Sequence, residues 1–242
     1  MKATTVDESR PLPRTSIIAE FWASTIGKKI VMAVTGLVLV GFVIAHMVGN
    51  LKLYQGEAKF NAYAVWLREM GGPAVGHEQA LWAARLVLLL AVVLHMVAAW
   101  QLARRSWAAR PVAYQERKAI QATYASRTMR WGGVIVLLFI VYHILHLTFG
   151  VIGFPPGEFK HLSVYKNVVA GFSVWYVSVF YILANLALGL HLFHGVWSMF
   201  QTIGLSGFGM DRFYRGIATV VALAVVLGNI SIPIAVLSGV VR

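Results

Sequence analysis

Five stretches of the chain are almost continuously apolar, and polar residues gather between them. They run over 30–51, 81–103, 131–154, 172–200 and 216–240. A helix needs roughly 20 apolar residues to cross the hydrocarbon core of a bilayer, so each stretch predicts one transmembrane helix. None of the nine acidic residues lies inside a stretch. The expected fold is an all-α membrane protein of five transmembrane helices. Residues 1–29 form an N-terminal segment and 30–242 a single membrane domain. In the first segment Ile17, Ile18, Phe21 and Trp22 predict a short interfacial helix. Residues 56–72, with Phe60, Tyr63 and Trp66, predict a second one, and 113–126 reads as a polar, helix-compatible connector. The polar, basic start and the length of the first apolar run argue against a secretory signal.

The basic residues give the stretches a direction, because short loops rich in Lys and Arg stay cytoplasmic. One side carries Lys2, Arg10, Arg14, Lys28 and Lys29 before the first span. It also carries Arg104, Arg105, Arg110, Arg117, Lys118, Arg127 and Arg130 between spans two and three, and Arg212 and Arg215 between spans four and five. The other side has Lys52, Lys59 and Arg68 against three glutamates, and Lys160 and Lys166 against Glu158. The N-terminus is therefore expected in the cytoplasm and the C-terminus outside.

Composition narrows the class. Of 242 residues, 59% are hydrophobic and 12% charged, against about 25% charged in soluble domains. This excludes an ordinary soluble enzyme and a disordered chain. The net charge of +12 reads as basic loops facing anionic lipid or an acidic partner rather than nucleic acid. With no cysteine, disulfides, thiolate zinc sites, iron–sulfur ligation and cysteine nucleophiles are excluded.

Six of the eight histidines lie within spans: His46, His95, His143, His146, His191 and His194; His77 and His161 lie in outer loops. Ionisable groups inside a bilayer are costly and usually functional. Four helices each carry at least one and the fifth carries none, which interhelical packing glue alone does not predict. Depth sorts them. His46 on span one and His143 and His146 on span three fall in the outer half. His95 on span two and His191 and His194 on span four fall in the inner half. Two stacked histidine pairs in an apolar four-helix bundle describe a site for two six-coordinate haems. A non-haem metal would want carboxylates, which the spans lack. A histidine proton relay in a cofactor-free transporter or channel is the rival from another class, and a reduced-minus-oxidised spectrum separates the two. Small residues near the ligands give room: Gly36, Gly41, Gly49, Ala91, Ala98, Gly132, Gly133, Gly189 and Gly195. Arg85, Lys28 and Arg130 are candidate partners for haem propionates or a quinone.

The run Ser24-Thr-Ile-Gly-Lys-Lys-Ile-Val-Met-Ala-Val-Thr-Gly36, followed by His46-Met-Val-Gly-Asn50, resembles the first helix of the cytochrome b subunit of succinate dehydrogenase/fumarate reductase. The form it is similar to has one anchor polypeptide, five helices and two haems. His191-Leu-Phe-His-Gly-Val-Trp-Ser198 adds to the resemblance, which covers the chain from about residue 20 onward. It implies His46, His95, His143 and His191 as axial ligands, with His46 and His143 on the outer haem b and His95 and His191 on the inner one. His143 follows Gly133 at the family distance, although depth alone slightly prefers His146. His191 stands before Gly195 and Trp197 as the family ligand does, which makes His194 a secondary candidate. Some fumarate reductases carry a glutamate two residues before the helix-four ligand. Gly189 stands there in this chain, so that proton path is not expected. Glu69 is the nearest match to an acid used beside the quinol.

The resemblance further implies a membrane anchor that passes electrons between quinone, here menaquinone, and a cytoplasmic iron–sulfur subunit joined to a flavoprotein. The basic stretch 104–130 is then the docking face, and the bacterial cytoplasmic (inner) membrane the location. The chain itself has no catalytic residue for dicarboxylate chemistry. An anchor for a hydrogenase or formate dehydrogenase is the alternative within the same electron-transfer class.

Overall fold

A computed structural model gives the fold, and it describes residues 16–109, 124–205, 207 and 209–242. The N-terminal cations Lys2, Arg10 and Arg14, and residues 110–123 of the basic connector, lie outside the described residues. Among the described residues there is no strand. Five helices are long and apolar enough to cross a membrane, and the chain is a multi-pass membrane protein.

The elements are α1 (Ile17–Ala23), α2 (Thr25–Asn50), α3 (Glu57–Glu69), α4 (Gly72–Val75), α5 (Gln79–Ala108), α6 (Tyr124–His143), α7 (Val164–Ser173), α8 (Trp175–Thr202) and α9 (Asp211–Leu237). α2 runs on into a 3-10 turn, Leu51–Gln55, and α6 into a π-helical turn, Ile144–Thr148. The segments expected at the membrane interface form the helices α1 and α3.

Several boundaries differ from the apolar runs, three of them for a clear local reason, and the second helix is longer than its run, Gln79–Ala108 against 81–103. α2 begins at Thr25, so residues 25–29 belong to the membrane helix and not to the N-terminal segment. Ser24 sets this start: its hydroxyl accepts from Gly27 N at 2.8 Å and donates to Phe21 O at 2.8 Å, which closes α1 as it opens α2. The helix expected over 131–154 ends at Thr148. Gly150 and Gly153 take φ of +65° and +78°, a region that interrupts a helix, and Pro155 and Pro156 follow. Phe172 and Ser173, expected in the fourth span, close α7 instead. Val174 is extended (φ −80°, ψ 104°) and α8 starts after it. The last span occupies Asp211–Leu237 rather than 216–240.

Contacts fix the directions. Arg105 on α5 donates to Thr25 Oγ1 (3.0 Å) and Ala23 O (2.7 Å), so α5 ends where α2 begins. α6 and α8 are antiparallel as well, since Tyr181 on α8 meets His146 beyond α6 while Gly133 of α6 faces His191. The bundle thus has a proximal end, with Thr25, Ala108, Thr202 and Asp211, and a distal end, with Asn50, Gln79, Thr148 and Leu237. α2 packs on α5, α6 on α8, and the two pairs meet through α2 and α8. α9 covers α8 and part of α2. Its buried residues are small in the first half (Ala218, Ala222, Val225), and Gly189 of α8 lies against Val226, which allows close helix approach without a hydrophobic drive. At the proximal turn Trp197 Nε1 donates to Asp211 Oδ1 at 2.8 Å, and the Asp211–Arg215 ion pair at 2.9 Å lays the guanidinium over the Trp197 ring.

Candidate functional site

Histidine rings meet at two levels between the helix pairs. His46 of α2 and His143 of α6 have ring centroids 5.8 Å apart with planes nearly perpendicular, at 88°. His95 of α5 and His191 of α8 are 6.4 Å apart at 60°. α2 does not pack extensively on α6, nor α5 on α8. Each ring pair therefore reaches diagonally across the four-helix bundle. Along α2, His46 stands about 16 Å beyond Thr35, the residue that marks the level of His95.

The second level is oriented by a backbone carbonyl. His95 Nδ1 lies 3.1 Å from Met32 O and 3.2 Å from Thr35 Oγ1. A carbonyl only accepts, so Nδ1 carries the proton and Nε2 keeps its lone pair. Thr35 holds its place by donating to Val31 O at 2.7 Å. The partner ring, His191, has its Nδ1 buried with no hydrogen bond, and the same holds for His194 at Nδ1 and His146 at Nε2. At the first level His143 Nδ1 lies 3.2 Å from the hydroxyl of Tyr181, and His46 stacks on Phe42 at 5.2 Å.

The residues fit haem iron. Metal–imidazole bonds near 2.0–2.1 Å put two trans rings about 6 Å apart, centre to centre, close to both separations. Among the described residues no group of three or more His, Asp or Glu is placed so that it could hold a metal ion by itself. The chain thus offers two donors per level, which suits a macrocycle that brings four of its own.

The secondary candidates sit elsewhere. His146 is fully buried among Tyr142, Phe154, Phe172 and Tyr181. Its Nδ1 lies 2.9 Å from the Tyr181 hydroxyl, and its Nε2 side is closed by backbone. A Cβ at Gly171 would meet Nε2 at 2.5 Å and one at Gly153 at 3.1 Å, so no metal can approach. Residues three apart on an α-helix share a face; the π turn that carries His146 rotates it off the face of His143. His194 lies edge-on to Trp197 at 6.0 Å, with its Nδ1 buried and unbonded.

The three candidate cations are differently employed. Lys28 is buried, donates to Trp22 O and sits 5.4 Å from the centre of the Trp22 ring. It holds α1 rather than facing the histidines. Arg130 lies over the Trp107 ring at 4.8 Å, bridging α6 to α5 at the proximal end. Arg85 is exposed over Trp82 at 4.8 Å, level with His46 by the α2–α5 register. Of the small residues, Gly36 and Gly133 face the His95 and His191 rings, whereas Gly49 and Gly189 serve packing against Tyr63 and Val226.

Two features escaped the sequence reading. One is Tyr181, a buried hydroxyl between two histidines; a phenol deep in a span needs a polar partner, and that requirement was the available signal. The other is a distal cavity of about 320 Å³ where Arg68, His77, Glu78 and His161 come together. Arg68 pairs with Glu78 at 3.3 Å. Glu69, the expected acid of this loop, is exposed at the end of α3; Glu78 is the acid that enters the cavity. No protein-family model, no curated protein and no solved structure matches the chain.

Proposed function

We propose that the chain is a dihaem cytochrome b membrane anchor, ligating one haem with His46 and His143 and the other with His95 and His191. It would carry electrons between membrane quinone and a cytoplasmic iron–sulfur subunit bound to a flavoprotein, as in succinate:quinone oxidoreductases of the menaquinone type. The observation that carries the reading is the two diagonal histidine pairs, each at a separation suited to trans ligation of one metal. Bound there, haem supplies reversible one-electron transfer at an iron with no open position. The residues do the rest. Met32 O and Thr35 fix the tautomer and plane of His95, the Tyr181 hydroxyl holds the ring of His143 by a hydrogen bond, and apolar helix faces keep water from both levels. The distal cavity with His77, His161 and the Arg68–Glu78 pair supports a quinone site beside the His46 level. The excess of Lys and Arg in the proximal loops supports a cytoplasmic proximal end facing the partner subunits in a bacterial inner membrane.

A pyridine haemochrome assay on the complex purified with its native partners tests this. About two haems per chain are expected. None ends the haem reading, and one ends the paired reading. Partners identified as hydrogenase or formate dehydrogenase subunits would move the anchor to another enzyme and leave its haems.

A further inference from the structure

Tyr181 is 3% exposed, and its hydroxyl meets the Nδ1 atoms of His143 at 3.2 Å and His146 at 2.9 Å. A phenol has one proton to give, so it donates to one ring and accepts from the other. Iron ligation by His143 through Nε2, as proposed above, decides which. The ligand's proton must then sit on Nδ1, and Tyr181 accepts it. The tyrosine proton is directed to His146 Nδ1, and the proton of His146 lies on Nε2, which is buried with no hydrogen-bond partner. Ligation of His143 thus sets the direction of both bonds to Tyr181. His146 is fully enclosed by Gly153, Gly171, Phe154 and Phe172.

We infer that Tyr181 is a positioning residue for the His143 ligand, and that His146 is present to take the tyrosine's proton. The pair holds one ring orientation and strengthens the donor character of His143, as carboxylates and carbonyls do for other metal-bound histidines. The two levels are then set by different means. A backbone carbonyl, which no side-chain substitution removes, orients His95. A phenol–imidazole pair, which substitution can retune, orients His143. The inference rests on the dihaem reading.

The test is a redox titration of the b-type absorbance, with low-spin electron paramagnetic resonance, on the intact complex. His46→Ala identifies the component that belongs to the first level. In Tyr181→Phe that component shifts to higher potential, because His143 loses an acceptor and becomes a weaker donor; the other component stays. His146→Leu shifts the same component in the same direction by less. His146→Asn, whose side-chain oxygen can stand where Nδ1 was, returns it toward the wild-type value. If Tyr181→Phe fails to retain haem at that level, the Leu and Asn variants decide alone. Unmoved potentials, or equal shifts in both components, overturn the inference while the dihaem reading stands. A wild-type complex without haem overturns the dihaem reading and this inference with it.

Discussion

Gly36 of α2 faces the ring of His95 so closely that a Cβ there would meet its Cε1 at 3.4 Å; Gly133 of α6 stands to His191 in the same way, at 3.5 Å. The helices that carry His46 and His143 thus supply, two to three turns away, the smooth wall against which the other histidine pair rests. One methyl group fits as an ordinary contact, but a branched side chain does not. Gly36→Ala is expected to keep both haems. Gly36→Val and Gly133→Val are expected to lose or convert to high spin only the haem of His95 and His191, at a packing cost of about 1–3 kcal/mol. Spectra in which the His46–His143 haem is the one affected would contradict this.

The diagonal pairing predicts which variants resemble one another. His95→Ala and His191→Ala should remove the same haem, and His46→Ala and His143→Ala the other. Each leaves one ligand and a gap in a dry core. Redox-resolved spectra of the four variants decide this, and a mixed grouping would show that the pairs are wrong. His146→Leu should retain low-spin haem at both levels, since its Nε2 is walled off by Gly153 and Gly171.

Gly171 lies against His146 on one side while Gly153 closes the other, and the ring is bonded to Tyr181. The ring has nowhere to retreat. Gly171→Ala is expected to destabilise the protein by about 1–3 kcal/mol, read as a lowered midpoint of thermal unfolding in detergent. Gly132→Ala, where a Cβ would meet nothing within 4 Å, should be close to neutral. Equal midpoints for the two variants would refute the close fit.

The proposed direction of electron flow can be read in intact cells. Electrons moving outward to a distal quinone descend the membrane field, and one charge crossing the full membrane is worth roughly 2.3 kcal/mol per 100 mV. Succinate oxidation should slow when an uncoupler collapses the potential, while artificial acceptors at the flavoprotein stay unaffected. An unchanged rate would move the quinone to the proximal side.

The spans and the pairing of histidines were legible because both follow from one-dimensional rules. Apolar length gives the helices, and alternating direction converts a position along each helix into a depth. What stayed hidden depends on turns and on distant segments. Residues 149–154 are apolar enough for a membrane, but Gly150 and Gly153 turn the chain away. Depth alone slightly preferred His146 to His143, but depth does not register the π turn that carries His146 or the Gly153 and Gly171 backbone that encloses its ring. Lys28 resembled a free cation at a helix end, yet the Ser24 corner folds α1 back until its last turn covers the lysine. The Arg68–His77–Glu78–His161 cluster joins two loops far apart in sequence, a proximity no local pattern announces.

α5 is held to the rest of the bundle mainly by α2, with lesser contact from α3, and His95 reaches past α2 to a helix that α5 hardly touches. One helix thus leans chiefly on one neighbour, and a haem bound as proposed between His95 and His191 would act as a latch that fastens it. Under that proposal, cofactor supply would become a checkpoint in biogenesis: chains made during haem starvation would carry a loosely fastened α5 and would be the ones a membrane quality-control protease clears.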